Sequence, residues 1–173
     1  MTFRVLLLVV GAVCTAALPA RAQKRGSFEV GVFAAYLNAD NSLPVGNALG
    51  FGGRVGVNPF SFLAVELDIA HASKSGAGYR PMHVWFVYDV PPTSRAEVFA
   101  GIGFVRNTYT GTYKAKDSGV AGQVGVRGRF GKMFAIRIDG HADFIPSSAN
   151  HSYLVSYNGN WGIGVGVSAL LNR

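Results

Sequence analysis

The acidic residues of this 173-residue chain follow a two-residue alternation. Between residues 135 and 144, Ile136 and Ile138 alternate with Arg137 and Asp139. A period of two is that of a β-strand, whose successive side chains point to opposite faces, and not that of a helix. In each predicted strand, one set of alternate positions is apolar and the other set, which we call the other parity, is not. Seven of the nine carboxylates lie on this non-apolar parity: Glu29, Glu66, Asp68, Asp89, Glu97, Asp139 and Asp143. The chain is therefore predicted to form strands with one apolar and one charged face.

Residues 1–22 have the pattern of a secretory signal peptide. An apolar run, 5–13, precedes the small-residue cleavage site at 20–22. This run is too short to span a bilayer. The predicted mature domain is 23–173, and since Cys14 is the only cysteine, we expect that domain to have neither disulfides nor thiolate chemistry.

The composition argues against helical membrane proteins and nucleic-acid binding. The net charge of +7 is spread along the chain without a Lys/Arg run, and no helix-turn-helix, zinc-finger or RNA-binding motif is present. No later segment approaches the roughly 20 apolar residues of a membrane helix. The 23 glycines also disfavour helix. We expect no nucleic-acid partner and a β-structure in contact with a membrane.

Alternation and turn signals predict eight antiparallel strands. They lie near 27–39, 47–57, 62–72, 80–90, 96–107, 118–130, 134–145 and 160–171. Three connections are short, at 58–61, 91–95 and 131–133, and four are longer, at 40–46, 73–79, 108–117 and 146–159. Short turns at one end and longer loops at the other are typical of an up-and-down transmembrane β-barrel, with the short turns and both termini in the periplasm.

The glycines predict which face of each strand points inward. A soluble barrel shows the same period with an apolar interior. Here the charged parity is also the glycine-bearing one, for example Gly50, Gly52 and Gly56 around Arg54. A narrow barrel needs small residues where its internal volume is limited. The apolar parity is therefore expected to face lipid, and the charged parity the lumen.

Aromatic residues gather near the predicted strand ends, as in the two interfacial girdles of membrane barrels. Those near the short turns are Phe28, Phe60, Phe62, Phe130 and Phe134, and those near the long loops are Tyr36, Tyr79, Tyr109, Phe144, Tyr157 and Trp161. In the fourth strand Trp85 falls on the inward parity with His83 and Asp89. Either this Trp fits inside the barrel or a bulge resets the register.

The chain resembles the superfamily of small porin-like outer-membrane β-barrels, which includes the eight-stranded barrels of outer-membrane proteins A and X. The likeness covers the whole mature chain and rests on the leader and on four strand segments: 20–22, 28–33, 97–103, 134–139 and 161–167. It implies location in the cell outer membrane, lipid and lipopolysaccharide as surroundings, insertion by the barrel-assembly machinery, and a monomer. One departure is the end of the chain at Asn172 and Arg173, where family members usually finish in an aromatic residue.

The acids on the inward parity share the lumen with basic residues, and unpaired charges in a narrow lumen are costly. We therefore predict an internal ion-pair network. Its members are Glu29, Arg54, Glu66, Asp68, Glu97, Arg127, Arg129, Arg137, Asp139, His141 and Asp143. Such a network is either a gate in a narrow pore or a plug that conducts nothing, and the small interior of eight strands favours the plug.

Five cations are expected at or above the outer girdle, where they either contact lipopolysaccharide phosphates or are merely solvated. They are Lys74, Arg80, Arg106, Lys114 and Lys116.

Enzymatic and metal chemistry are weakly supported. Lipid A deacylases of similar size place a His and a Ser two apart on a late strand, whereas this chain has His141-Ala142-Asp143 there. The serines at 147 and 148 fall in a predicted loop, and no pair among His71, His83, His141 and His151 has His-x-x-x-His spacing. We predict a non-enzymatic surface protein with at most a narrow solute path, and neither a metal nor a cofactor. The alternatives are a lipid-modifying barrel enzyme and a soluble ligand-binding barrel in the periplasm.

Overall fold

The structure is a computed structural model that describes residues 26–39, 46–90, 96–111, 114–130, 133–145 and 158–171, apart from the side chain of residue 158. The predicted signal peptide, the serines at 147 and 148, and His151 lie outside these residues. Across the described ranges, no helix has the length and apolarity needed to cross a membrane.

Eight strands form a closed antiparallel barrel in which each strand pairs with its neighbours in sequence. The strands are β1 (Phe28–Asn38), β2 (Asn47–Phe60), β3 (Leu63–Lys74), β4 (Ala77–Val90), β5 (Ala96–Gly111), β6 (Ala115–Phe130), β7 (Phe134–Ile145) and β8 (Asn158–Leu171). The sheet closes where β1 pairs with β8, with Val32 opposite Val167. The predicted all-β, up-and-down, eight-stranded fold is confirmed.

The strands alternate between an exposed apolar face and a buried polar face. Leu49, Phe51 and Ile102 are 71–78% exposed on the outer surface, whereas Glu66 and Arg127 are at most 1% exposed. Charged groups buried in this way need partners inside the barrel, and an apolar exterior of this extent needs hydrocarbon around it. The predicted orientation is confirmed, and it excludes the soluble barrel with an apolar cavity.

Trp85 points into the barrel without a bulge in β4. The register between β3 and β4 is the same on both sides of this residue, from Leu63↔Tyr88 to Lys74↔Ala77. The indole ring lies over Gly103 of β5, where an added Cβ would come within 2.7 Å of Trp85 Cε3. A glycine on the neighbouring strand thus provides the space that the Trp needs.

Two of the connections predicted as longer loops are short. Strands β3 and β4 are joined by Ser75 and Gly76 alone, and both have positive φ, 51° and 79°. Such angles are those of a two-residue hairpin turn. The predicted loop at 73–79 is therefore wrong, and so is the one at 108–117, because β5 continues to residue 111 and β6 begins at 115. Strand pairing satisfies the backbone of these residues, which a loop would leave to water.

We call the barrel end with the 75–76 turn the loop end and the opposite one the terminus end. The predicted aromatic girdle at the terminus end is confirmed, with all five phenylalanines 47–60% exposed: Phe28, Phe60, Phe62, Phe130 and Phe134.

At the loop end the predicted girdle is partly wrong. Tyr36 and Trp161 contact each other on the outer face, with ring centroids 5.8 Å apart. Tyr79 and Tyr109, however, are buried in the lumen, where their rings stack at 5.2 Å. Both residues occupy inward positions of their strands. The direction of the strand positions therefore decides where these side chains lie, although tyrosine prefers the membrane interface. Tyr157 lies outside the described residues.

Candidate functional site: the polar lumen

The inward faces of the strands bring all eleven predicted network residues into one lumen. The side chains of ten of them are at most 8% exposed, and His141 is half-buried. Asp89, an inward acid by its parity, belongs to the same interior. Among the described residues, the buried lumen side chains therefore include seven carboxylates and four guanidinium groups, so these acids outnumber these fixed cations by three.

Glu66 lies at the centre of the network. Its carboxylate accepts hydrogen bonds from Arg137 Nη1 at 3.0 and 2.8 Å and from Arg127 Nη2 at 3.1 Å. Arg54 Nε lies 3.7 Å from Glu66 Oε2. One carboxylate from β3 thus joins guanidinium groups from β2, β6 and β7 across the lumen.

Arg54 and Arg137 share a second carboxylate, that of Asp139. Arg137 Nε donates to Asp139 Oδ2 at 2.9 Å, and Arg54 Nη1 approaches the same oxygen at 3.4 Å. Arg54 also donates to both oxygens of Asp68, at 2.6 and 2.5 Å, in the two-pronged geometry that suits guanidinium and carboxylate. Arg137 Nη2 donates to Gln123 Oε1 at 2.8 Å. Every donor nitrogen of Arg137 therefore has a hydrogen-bond acceptor.

Toward the terminus end, Arg127 lies among three more acids. Its guanidinium nitrogens lie 3.3 Å from Glu29, 3.5 Å from Asp89 and 3.5 Å from Glu97. Arg129 lies two residues after Arg127 on β6, at the next inward position, and forms an ion pair with Glu97. Because Arg127 is fully buried, its charge depends on these carboxylates for compensation.

Aromatic rings fill the space between the ions. Phe99 is fully buried, and the Arg137 guanidinium carbon lies 3.9 Å from its ring centroid, a cation–π arrangement. The Phe99 ring rests on Gly125 of β6, where a Cβ would come within 2.3 Å of Phe99 Cζ. Phe33 rests on Gly52 in the same way, at 2.4 Å, and lies under Arg54. Inward glycines are therefore the positions over which large side chains lie.

Toward the loop end the lumen contains a neutral hydrogen-bonded group that the sequence did not predict. Tyr79 Oη donates to Asn107 Oδ1 at 3.1 Å. Asn160 Nδ2 lies 3.3 Å from Tyr79 Oη and 3.1 Å from Tyr109 Oη. The two-residue alternation could have predicted that these side chains enter the lumen, because all four residues fall on the inward positions of their strands.

His83, His141 and Asp143 form a group between this layer and the ion pairs. Their ligand-capable atoms all lie within 4.8 Å of one another. His83 Nε2 lies 3.0 Å from Asp143 Oδ1, and the two imidazole centroids are 5.0 Å apart. The sequence separation of 60 residues between His83 and Asp143 explains why local spacing did not predict the group.

Side chains leave a small cavity beside the ion pairs. It has a volume of about 20 Å³ and lies between His83, His141, Arg54 and Asp68, which is room for about one water molecule. In the lining of this cavity, Trp85 Nε1 donates to Asp68 Oδ2 at 3.2 Å, which connects β4 to the ion pairs. This arrangement binds charges to one another across the barrel and leaves little space between them.

A closed eight-stranded barrel with an apolar exterior and an ionic interior is a membrane-spanning β-barrel of the outer-membrane type. Solved structures with this fold include Neisserial surface protein A, at a TM-score of 0.66 and 17% identity, covering 84% of this chain and 99% of that one. The N-terminal β-barrel domain of Pseudomonas aeruginosa OprF has a TM-score of 0.63 and 13% identity, covering 86% and 100%. The outer membrane protein OprG from the same organism also has a TM-score of 0.63 and 13% identity, covering 89% and 100%.

These likenesses confirm the predicted class of fold, that of the small outer-membrane barrels. No protein-family model matches the sequence, and no curated protein matches it either.

Proposed function

We propose that the protein is an integral outer-membrane surface protein whose lumen is closed by the Glu66-centred ion-pair network. In this proposal it is not an enzyme, and it carries at most a narrow solute path. The observation that supports closure is the set of side chains crossing the lumen. Arg137 from β7 donates to Glu66 on β3, and Arg127 from β6 reaches the same carboxylate.

The energetics of these ions favour a plug over an open pore. Opening a water path would require that several buried ion pairs separate together, because Glu66 binds two guanidinium groups that hold further acids. A buried charge that loses its partner costs several kcal/mol, on the order of 3–5 kcal/mol per pair. Phe99 and Trp85 occupy the space between the ions, so rearrangement of the charges alone does not clear the lumen.

Planar-bilayer conductance of the purified protein tests closure. The wild type is expected to show no steady current steps, whereas Arg137→Ala removes a side chain from the lumen and is expected to admit ions. Arg106→Ala, a change of the same kind on the outer face of β5, serves as the matched control and should remain silent. Steady current steps from the wild type would contradict a closed lumen.

Side-chain direction bears on the lipid-modifying alternative. A deacylase-like site must present its histidine to lipid, whereas His141 and Asp143 lie on the inward parity of β7. We therefore expect no turnover in a lipid A deacylation assay. Turnover that disappears in a His141→Ala variant would instead establish the enzyme.

Lipopolysaccharide is the proposed partner of the outer face at the loop end. Arg80, Arg106 and Lys116 are exposed there on three consecutive strands. Thr108 is the register partner of both Arg80 and Lys116, so these two cations flank one position of β5. Each such cation contributes on the order of 1 kcal/mol toward an anionic surface.

A charge-retaining variant provides the control for this contact. Replacing Arg80 and Arg106 by alanine should weaken binding of the detergent-purified protein to lipopolysaccharide, while replacing both by lysine should preserve most of it. Equal binding by the two double variants would show that these cations are only solvated.

A further inference from the structure

We infer that His83, His141 and Asp143 form a binding site for one divalent transition-metal ion of the zinc type in the lumen. Two imidazole nitrogens and one carboxylate oxygen are a ligand set that Zn²⁺ takes in proteins, with a fourth position left to water. The three donor atoms come from β4 and β7, and all lie within 4.8 Å of one another.

The three ligand atoms lie within 4.8 Å of one another and must draw closer to bind one ion. Tetrahedral Zn²⁺ with bonds of about 2.0–2.2 Å places its ligand atoms roughly 3.4 Å apart. His83 Nε2 and Asp143 Oδ1 are already 3.0 Å apart. The His141 ring lies edge-on to His83 at 63°, with its centroid 5.0 Å from that of His83 and a ring nitrogen within 4.8 Å of the other two ligand atoms. A ring nitrogen of His141 is thus available as a ligand atom.

The surroundings hold two of the ligands in position. The His83 ring stacks on Trp85 at 4.8 Å, with an angle of 12° between the planes. Asn107 Nδ2 lies 3.5 Å from Asp143 Oδ2, which leaves Oδ1 directed toward the histidines. Hydrogen bonds to metal-ligating carboxylates of this kind orient them and tune affinity.

His141 is held by a close approach to the backbone of β8. An added Cβ at Gly162 would lie 2.5 Å from His141 Cε1, so only glycine leaves the imidazole where it is. The cavity lined by both histidines has a volume of about 20 Å³, which accommodates one water molecule at the fourth position.

The charge of the lumen favours a cation at this site. In the part of the lumen that the structure describes, the seven buried carboxylates exceed the four guanidinium groups by three. A divalent ion bound to Asp143 offsets part of this surplus in a region with little water.

Metal titration of the full protein, purified in detergent and stripped with a chelator, tests the site. Zn²⁺ in calorimetry is expected to bind at one ion per chain, and Co²⁺ is expected to give the visible absorption of a tetrahedral site. His83→Gln, His141→Gln and Asp143→Asn should each lower Zn²⁺ affinity by about tenfold or more. His71→Gln is the matched control, because His71 lies on β3 outside the group and should leave affinity unchanged.

A measurement on the wild type keeps the test independent of variant folding. X-ray absorption of the zinc-loaded protein should show two imidazole ligands and one carboxylate. Absence of stoichiometric binding, fewer than two imidazoles, or equal affinity in the His71 and His141 variants would each overturn the site.

Discussion

Arg137 donates two hydrogen bonds across the lumen to Glu66, at 3.0 Å to one carboxylate oxygen and 2.8 Å to the other. The two residues belong to β7 and β3, which are not neighbours in the sheet. Their contact therefore connects opposite walls of the barrel. Because Arg127 uses the same carboxylate, loss of Glu66 affects two buried guanidinium groups together.

Glu66→Ala is expected to destabilise the folded barrel by about 3–5 kcal/mol, since it breaks the buried ion pairs of Glu66 with Arg127 and Arg137 and leaves Arg137 Nη1 without its carboxylate acceptor. Equilibrium urea unfolding in lipid vesicles measures this change. Asp117→Ala, which removes a half-buried carboxylate near the loop end of β6, should cost much less. Similar losses for the two variants would show that Glu66 is not the centre of the network.

Gly125→Ala is expected to destabilise the barrel by about 1–3 kcal/mol through overpacking. The new Cβ would come within 2.3 Å of Phe99 Cζ and 2.5 Å of the Ile138 carbonyl oxygen, and the backbone atom cannot rotate away. The measurement is again urea unfolding in vesicles.

The same strand supplies the control for this substitution. Gly122 has no atom within 4 Å of an added Cβ, so Gly122→Ala should leave stability unchanged or slightly improved. If both alanine variants unfold at the same urea concentration, then Phe99 does not occupy the space over Gly125.

The two-residue period was sufficient to predict the barrel and the inward position of its charges. It depends only on local geometry, since any strand with one lipid face must alternate. The bonds within the lumen could not be predicted in this way. Glu66 and Arg137 are 71 residues apart, and their contact depends on closure and register around the whole barrel.

The errors of prediction have a common physical origin. Tyr79 and Tyr109 were assigned to the interface because of residue type, but β4 and β5 extend through them and keep the inward parity. The predicted loop at 73–79 is a hairpin because Ser75 and Gly76 complete a turn with positive φ. Where local residue preference and strand continuation disagree, pairing with the neighbouring strand decides.

Ile102→Lys is expected to lower the stability of the inserted barrel by about 2–4 kcal/mol if this position lies at the bilayer midplane. Ile102 is 73% exposed on the outer face of β5, so the ammonium group would enter hydrocarbon. Thr110→Lys is its control on the same strand and face, near the loop end, where the cost should be about 0–1 kcal/mol. Folding into vesicles, followed by protease protection, gives both values. Equal costs at the two positions would contradict the assignment of the apolar belt to lipid.

Val167→Pro is expected to abolish the compact state that resists detergent. Val167 pairs with Val32 on β1 and with Ile136 on β7, so a proline there removes a ladder hydrogen bond at the strand that closes the barrel. Unboiled wild-type protein should migrate differently from boiled protein on a detergent gel, because a closed barrel unfolds slowly. The Pro variant should migrate alike in both conditions, while Val167→Ala should keep the wild-type difference. If boiling does not change the mobility of the wild type, this would count against closure between β1 and β8. A Pro variant that keeps the mobility difference would place Val167 outside the closing ladder.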